Sequence, residues 1–385
     1  MVQPIYLDYN GTTPHDPEVI TAMQPFLETE FGNPSSSHWY GIRPKRAVEK
    51  ARQQVAGMLN CQAEEIFFTS GGTESNNHAI KGMARALKAK GRHIITSTVE
   101  HPAVLEVCDY LKTEGFETTR VDVDNTGMVH MDTVAAAIRP DTVLITIMHA
   151  NNEVGTLQPI RDIALLSGRK GICIHTDAAQ SVGKIATDVQ ELNVDLLSIA
   201  GHKIYAPKGI GALYVRKGLL PEKFCHGANQ EMGWRAGTEN VVQIVGLGKA
   251  CEMADRSLDH AGRHLTAMRD RLHNGLAVQL DDMRLNGHPD ERLPNTLSLS
   301  FKGLEANRVL EEIGLEVAAS AGAACHSDTV TLSHVLEAMR ISLEWAKGTV
   351  RFSTGRMTTP EQIDTAIDVI THAIKRLRAQ MNGLE

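Results

Sequence analysis

Aromatic residues are scarce in this 385-residue chain: Phe, Trp and Tyr together make up 4%. Stacking on a flat ligand would therefore fall to a residue such as His101. No apolar run approaches the roughly 18 residues needed to span a bilayer. The opening Met1-Val-Gln-Pro-Ile-Tyr-Leu-Asp8 lacks the basic-then-apolar order of a secretory signal. Basic residues are scattered and the formal charge is −7, which argues against nucleic acid as a partner. The six cysteines, at 61, 108, 173, 225, 251 and 325, form no CxxC pair. Their spacing suits free thiols in a reducing, cytoplasmic compartment better than disulfides or a zinc ribbon. His101, His175, Asp177 and His202 lack the dense spacing of a metal site, so no metal is expected.

What is present is an ordinary globular composition, 42% hydrophobic with 22% charged residues, on a chain long enough for two domains. From about residue 65 to 215, short apolar runs alternate with helical-length segments. The runs are Ile66–Thr69, His93–Ser97, Thr119–Val123, Val143–His149, Ile172–His175, Leu196–Ala200 and Gly211–Val215. This predicts an α/β fold with a mostly parallel seven-stranded sheet covered on both faces. The short connection through Pro207-Lys-Gly-Ile-Gly suits an antiparallel last strand. Helices are expected over Ser75–Lys90 and Met131–Ile138, and a long one over Val241–Gln279, bent at Gly246 or Gly248. Strands and helices in mixed order beyond it predict a smaller α+β domain. The expected division is 16–255 for the large domain and 256–385 for the small one, with residues 1–15 packing on either.

Chemistry-bearing residues fall just after the strands: Ser70-Gly-Gly-Thr-Glu-Ser75, Glu100-His-Pro102, Ala150-Asn-Asn-Glu153, Asp177-Ala-Ala-Gln180 and Gly201-His-Lys203. In an open parallel sheet the strand carboxyl ends meet at one crevice, where ligands bind. Ser70-Gly-Gly-Thr-Glu reads as a plain strand–helix turn capped by Thr73 or as a phosphate cradle. Lys203 at the mouth of a buried strand can be a desolvated, nucleophilic amine, or simply the partner of Asp177. Lysine, aspartate and phosphate donors together are what pyridoxal 5′-phosphate requires. Cys325, among the small residues of Ala318-Ala-Ser-Ala-Gly-Ala-Ala-Cys-His-Ser-Asp328, suits a reactive thiol on a mobile loop. Cysteines 61, 108, 173 and 251 read as packing. Arg351 and Arg356 offer a planar fork for a substrate carboxylate, or salt bridges to the body of the protein.

In this order the motifs resemble the cysteine desulfurases of the class V aminotransferase superfamily, pyridoxal-phosphate enzymes of the type I transferase fold, and the similar selenocysteine lyases. The resemblance rests on Tyr6-Leu-Asp-Tyr-Asn10, Gly32-Asn-Pro-Ser-Ser36, Thr69-Ser-Gly-Gly-Thr-Glu-Ser-Asn-Asn77, His175-Thr-Asp-Ala-Ala-Gln180, Gly201-His-Lys203, Arg235-Ala-Gly-Thr238 and Arg351-Phe-Ser353. It implies that Lys203 carries the cofactor, Asp177 partners its ring nitrogen, and His101 stacks on the ring and assists proton transfer. Gln180 and Asn152 would touch the ring hydroxyl or the substrate, and Gly72, Thr73 and His202 would hold the phosphate. Thr238 would reach the phosphate in the neighbouring subunit of a homodimer. Arg351 would bind the carboxylate of L-cysteine, and Cys325 would take its sulfur as a persulfide for an acceptor or scaffold protein, as in iron–sulfur cluster assembly. Ala200, where many desulfurases have serine, leans toward the lyases and L-selenocysteine. Pro102, where lyases typically have aspartate, leans toward the desulfurases. Because Pro102 borders the substrate, the desulfurase reading is preferred.

Overall fold

A computed structural model describes residues 3–326, 329–381 and 383, and for 323–326 and 329–331 the backbone alone. Seven strands form the central sheet: β1 (Ile66–Thr69), β2 (His93–Ser97), β3 (Glu117–Val121), β4 (Thr142–Thr146), β5 (Cys173–Asp177), β6 (Leu196–Ala200) and β7 (Gly211–Val215). Their order is β1-β7-β6-β5-β4-β2-β3. All neighbours are parallel except that β7 runs against both β1 and β6. A right-handed crossover needs a dozen or more residues, and the short turn between β6 and β7 cannot supply one. Apart from edge strand β3 and half-paired ends, these strands are buried throughout, as a sheet with helices on both faces demands. The edges of β3, β4 and β5 lie one to three residues from the sequence expectation, because polar residues such as Thr142 and Asp177 join the ladders.

The second sheet is antiparallel, in the order Ser320–Ala321, Thr349–Ser353, Thr296–Phe301, Met283–Asn286. Met283–Asn286 was not anticipated; its half-buried alternation is too short to stand out beside the long helix before it. That helix, Val241–Gln279, runs unbroken. A Cβ on Gly246 would sit 2.8 Å from Met23 Sδ and 2.9 Å from Pro207, and one on Gly248 would sit 2.5 Å from Ala51 Cα. The glycines let other elements approach closely.

The same helix joins two cores. Ile244, Leu247, Cys251 and Ala254 pack with the central sheet, whereas Met268, Leu272 and Leu276 pack with the second sheet and the helix Pro360–Met381. Leu7 belongs to this second core, and Ile5–Tyr6 pair with Val317–Ala318. Val335, Leu336, Met339 and Ala346, although late in the chain, pack with the first core.

One buried ion pair positions a functional segment. Arg52 donates to Glu231 through both terminal nitrogens, at 2.8 and 2.9 Å, and Glu231 also accepts from the Phe68 amide at 2.8 Å. Both side chains are almost fully buried, so removing either alone costs about 3–5 kcal/mol by stranding its partner. The pair fixes the stretch leading to Arg235, which holds Glu74 on the helix Gly72–Leu87 at 2.9 Å.

Candidate active site

The carboxyl ends of β1, β5 and β6 open into a cavity of about 310 Å³, walled on the far side by the second sheet. It is lined by Gly72, Thr73, His101, Asn152, Asp177, Gln180, His202, Lys203 and Arg351. These come from segments up to 279 residues apart in sequence (351 minus 72). Two expected site residues are not seen lining it. Thr238 is exposed elsewhere on the chain. Cys325 lies on the strand Ala323–His326, whose backbone pairs with Thr329–Leu332, and its side chain, like all of Asp328, lies outside the described residues.

The phosphate-cradle motif forms the first turn of the helix Gly72–Leu87. The sequence places the helix over Ser75–Lys90, with Thr73 as its cap in the plain-turn alternative; instead it begins at Gly72 and Gly71 caps it, with φ of +147°. Only glycine adopts that backbone readily. Gly72 and Thr73 occupy the first helical positions, whose amides have no partner inside a helix and point toward an anion. Ala200 faces this turn: a Cβ on Gly72 would lie 3.2 Å from its methyl group.

Lys203 ends the turn Gly201–Lys203 that follows β6. Its Nζ donates to the backbone oxygens of Asn10, at 2.5 Å, and Gly11, at 2.8 Å. Burial and then the Arg351 charge bring its pKa down to about 8, against the pull of Asp8 and Asp177. Asp177 ends β5, with Oδ2 accepting from Asn76 Nδ2 at 2.7 Å and Oδ1 from the Ala179 amide at 2.9 Å. Two donors fix the orientation of the carboxylate.

His101 caps the helix Pro102–Lys112, its Nδ1 accepting from the Ala103 amide at 3.0 Å. Burial lowers its pKa, and the residue lines the cavity. His202 is lowered to about 4, by burial and then by Lys203. Arg351 is held in place by Nη2 to Asp8 at 2.8 Å and Nη1 to the Asn152 oxygen at 2.9 Å. Its buried Nε has no partner among the described residues. Arg356 instead pairs with Asp16 at 3.2 Å and covers the Tyr205 ring at 4.0 Å. Of the two arginines, only Arg351 reaches the cavity.

Three contributors escaped the sequence reading of roles. Asn76 holds Asp177, and it lay inside the Ser-Asn-Asn motif without an assigned part. Asn10 receives Lys203 and also Gln180 Nε2, the latter at 3.1 Å. Lys184 is buried, with Nζ donating to Gln180 Oε1 and to the Gln180 backbone oxygen, both at 3.0 Å. That contact fixes which way the Gln180 amide faces. Burial, then Lys203, brings Lys184 down to about 7. The buried His175 bridges Thr146 and Ser198, a structural role.

The two depressed lysines make stability depend on pH. A free lysine titrates near 10.4. Between the folded values, about 7 and about 8, and that free value, the unfolded chain binds more protons, so stability rises with pH. Below pH 7 both lysines are charged in either state and burial of the charge is fully unfavourable. The difference in urea midpoint between the cofactor-free protein and its Lys184→Met variant is therefore expected to shift in favour of the wild type as pH rises from about 7 to 9. A difference that stays constant over that interval would contradict the assignment.

These residues fit pyridoxal phosphate. An N-terminal helix turn suits a dianion, a doubly held carboxylate suits a protonated ring nitrogen, and a desolvated lysine suits a carbonyl carbon. Among the described residues no cluster of His, Cys, Asp or Glu is arranged for a metal ion, and no helix is long and apolar enough to cross a membrane.

Comparison with known proteins agrees. Residues 5–365 match the family Aminotransferase class-V. A protein named cysteine desulfurase IscS from Dictyoglomus turgidum is 48% identical over 379 residues, covering 98% of this chain and 96% of its own. One of the same name from Methanosarcina thermophila is 46% identical, covering 97% and 93%. Among solved structures, a NifS-like protein superposes with a TM-score of 0.91 at 36% identity, covering 97% of this chain and 100% of its own. SspA in complex with cysteine does so with 0.80 at 37% identity, covering 92% and 99%. A match over nearly the whole sequence, with the cavity residues in place, leaves one conclusion: the chain belongs to the aminotransferase class-V family and, within it, to the cysteine desulfurases.

Proposed function

We propose that this protein uses pyridoxal phosphate to convert L-cysteine to L-alanine, and that Cys325 takes the sulfur as a persulfide for an acceptor protein. The observation carrying this reading is the convergence of Lys203, Asp177, the Gly72–Thr73 turn and Arg351 on one cavity. When bound, the cofactor supplies the sink for electrons withdrawn from the substrate.

The protein's own groups do the rest. Arg351, already oriented by Asp8 and Asn152, takes the substrate carboxylate, and its Nε, unpartnered among the described residues, gains an acceptor. Lys203 holds the cofactor and, with an amine that deprotonates near pH 8, moves the proton at the substrate carbon. His101 would stack on the ring and assist proton transfer through Nε2, because its Nδ1 accepts from the Ala103 amide. Asp177 keeps the ring nitrogen charged; Thr73, Gly72 and His202 hold the phosphate; Gln180 and Asn152 contact the ring hydroxyl or the substrate. The Cys325 thiolate attacks the substrate sulfur, forming an S–S bond as the C–S bond breaks. The electron pair of that bond goes to carbon, which is then protonated to alanine.

A homodimer completes the site in this reading. Thr238 is exposed and does not line its own chain's cavity, so a phosphate contact from it has to reach a second copy. Its neighbours Gln230 and Glu239 share a groove with Lys45 and Glu49 on the helix Trp39–Leu59. The first turn of that helix exposes Trp39 and Tyr40, beside Phe31, which is 75% exposed. An apolar patch of this kind suits a two-fold contact. Full activity from a sedimenting monomer of 42.0 kDa would count against it. The change of core along Val241–Gln279 supports a domain boundary near 255. The free thiols at 61, 108, 173, 225 and 251 support a reducing, cytoplasmic location, open to a fractionation test.

The function is tested by supplying cysteine and selenocysteine separately and measuring alanine. Cysteine is expected to yield alanine with a sulfane sulfur product. Turnover confined to selenocysteine would replace this reading with selenocysteine lyase, a reading that the named relatives do not favour.

A further inference from the structure

The hairpin that carries Cys325 is rooted on two different cores. Its entering root, Ser320–Ala321, pairs with Arg351 and Val350 in the second sheet, and the Gly322 amide donates to the Thr349 oxygen at 2.8 Å. Its leaving root is Ser333, which caps a short helix whose Val335 and Leu336 pack with the central-sheet core. Ser333 Oγ donates to Glu153 Oε2 at 2.5 Å, and its neighbour His334 places Nε2 2.9 Å from the Glu100 oxygen.

Glu153 is a half-buried carboxylate in the turn 151–153, where its own amide donates to Asn151 Oδ1 at 2.9 Å. Burial raises its pKa, opposed by Ser333, His334 and Arg351. In the same turn, the Asn152 oxygen receives Arg351 Nη1 at 2.9 Å. Both roots of the hairpin therefore meet at one contact, Arg351 with Asn152. The entering root is the ladder partner of Arg351, and the leaving root is bonded to the residue after Asn152.

We propose that Glu153 is a positioning residue for Cys325: through Ser333 it ties the leaving root of the hairpin to the turn that also orients the substrate-binding arginine. The backbone that carries Cys325 is thereby registered against the arginine that would hold the substrate carboxylate. This rests on the reading of Cys325 as the sulfur acceptor. It concerns neither the cofactor contacts nor the attack itself, because Glu153 does not line the cavity.

The test uses the cofactor-loaded protein and four variants: Glu153→Ala, Glu153→Gln, Ser333→Ala and Ser333→Thr. The first readout is independent of catalysis: the initial rate at which a nonspecific protease cuts between residues 322 and 333. Glu153→Ala and Ser333→Ala are expected to raise it by about tenfold, the effect of one lost charge-assisted hydrogen bond on local opening. The Gln and Thr variants keep an acceptor and a donor, and should stay within about threefold of wild type. The second readout is the single-turnover rate of persulfide formation on Cys325. It should fall by about tenfold in the two Ala variants, with the cysteine concentration for half-saturation of the absorbance change unaltered. Wild-type cleavage rates in Glu153→Ala and Ser333→Ala would overturn the proposal. So would a loss of cysteine binding equal to the loss of transfer, since the defect would then lie in the pocket. If Cys325→Ala produced alanine at the wild-type rate, the reading of Cys325 would fail instead, and the proteolysis result would still decide whether the tether exists.

Discussion

Borohydride treatment of the cofactor-loaded protein is expected to fix the cofactor on Lys203, and Lys203→Ala is expected to lower alanine formation by roughly a thousandfold or more. The magnitude is that of losing a covalent anchor together with a positioned proton-transfer group. The prediction is selective because the cavity region holds two lysines with depressed pKa values, Lys203 at about 8 and Lys184 at about 7. On acidity alone Lys184 would be the better nucleophile at neutral pH. Its Nζ, however, is buried and committed to both oxygens of Gln180, and it does not line the cavity. Lys203 does line it, facing the same space as Asp177 and the Gly72–Thr73 turn. Peptide mapping after reduction decides between them. A label on Lys184, or on any lysine other than Lys203, would end the assignment.

The second large effect concerns Cys325→Ala. This variant is expected to keep the yellow of the bound cofactor and to bind cysteine, yet to lose alanine formation from cysteine by at least about a hundredfold, well within what removing a nucleophile costs other enzymes. A carbon–sulfur bond of this kind does not break readily unless something attacks the sulfur, and a thiolate can do so and then carry the product. Among the remaining cysteines, burial raises the thiol pKa of Cys61, Cys108 and Cys251 to about 12, and that of Cys173 well above its ordinary value. None of these can supply a thiolate at neutral pH. Cys225 is exposed but does not line the cavity. Mass spectrometry after one turnover should therefore find added sulfur on Cys325 alone. With selenocysteine the loss should be smaller, because a selenolate leaves with less help. Desulfuration of cysteine by Cys325→Ala at the wild-type rate would refute the mechanism.

Most of the sheet, and the side chains around its mouth, were legible in the order of residues. Buried strands such as Leu196–Ala200 are short runs, apolar there but for Ser198, and their length and flanking turn residues mark them. The motifs after them, Asp177 and Gly201-His-Lys203 among them, fall at strand ends by construction, so a parallel sheet must gather them into one crevice. What no local pattern carries is which distant groups complete each of them. Asn10 reaches Lys203 across 193 residues, Asp8 reaches Arg351 across 343, and Asn76 reaches Asp177 across 101. Glycines that look like helix breakers at 246 and 248 proved to be points of close approach, because neighbouring elements had no other room. No local pattern marks Lys184, and only tertiary packing buries it, beside a small cavity lined also by Ala254 and Leu265 of the long helix. Composition and periodicity report what each segment does with water. The lysine's acidity, the arginine's orientation and the two roots of the cysteine hairpin depend on which surfaces close over one another, and that is settled only when both cores have formed.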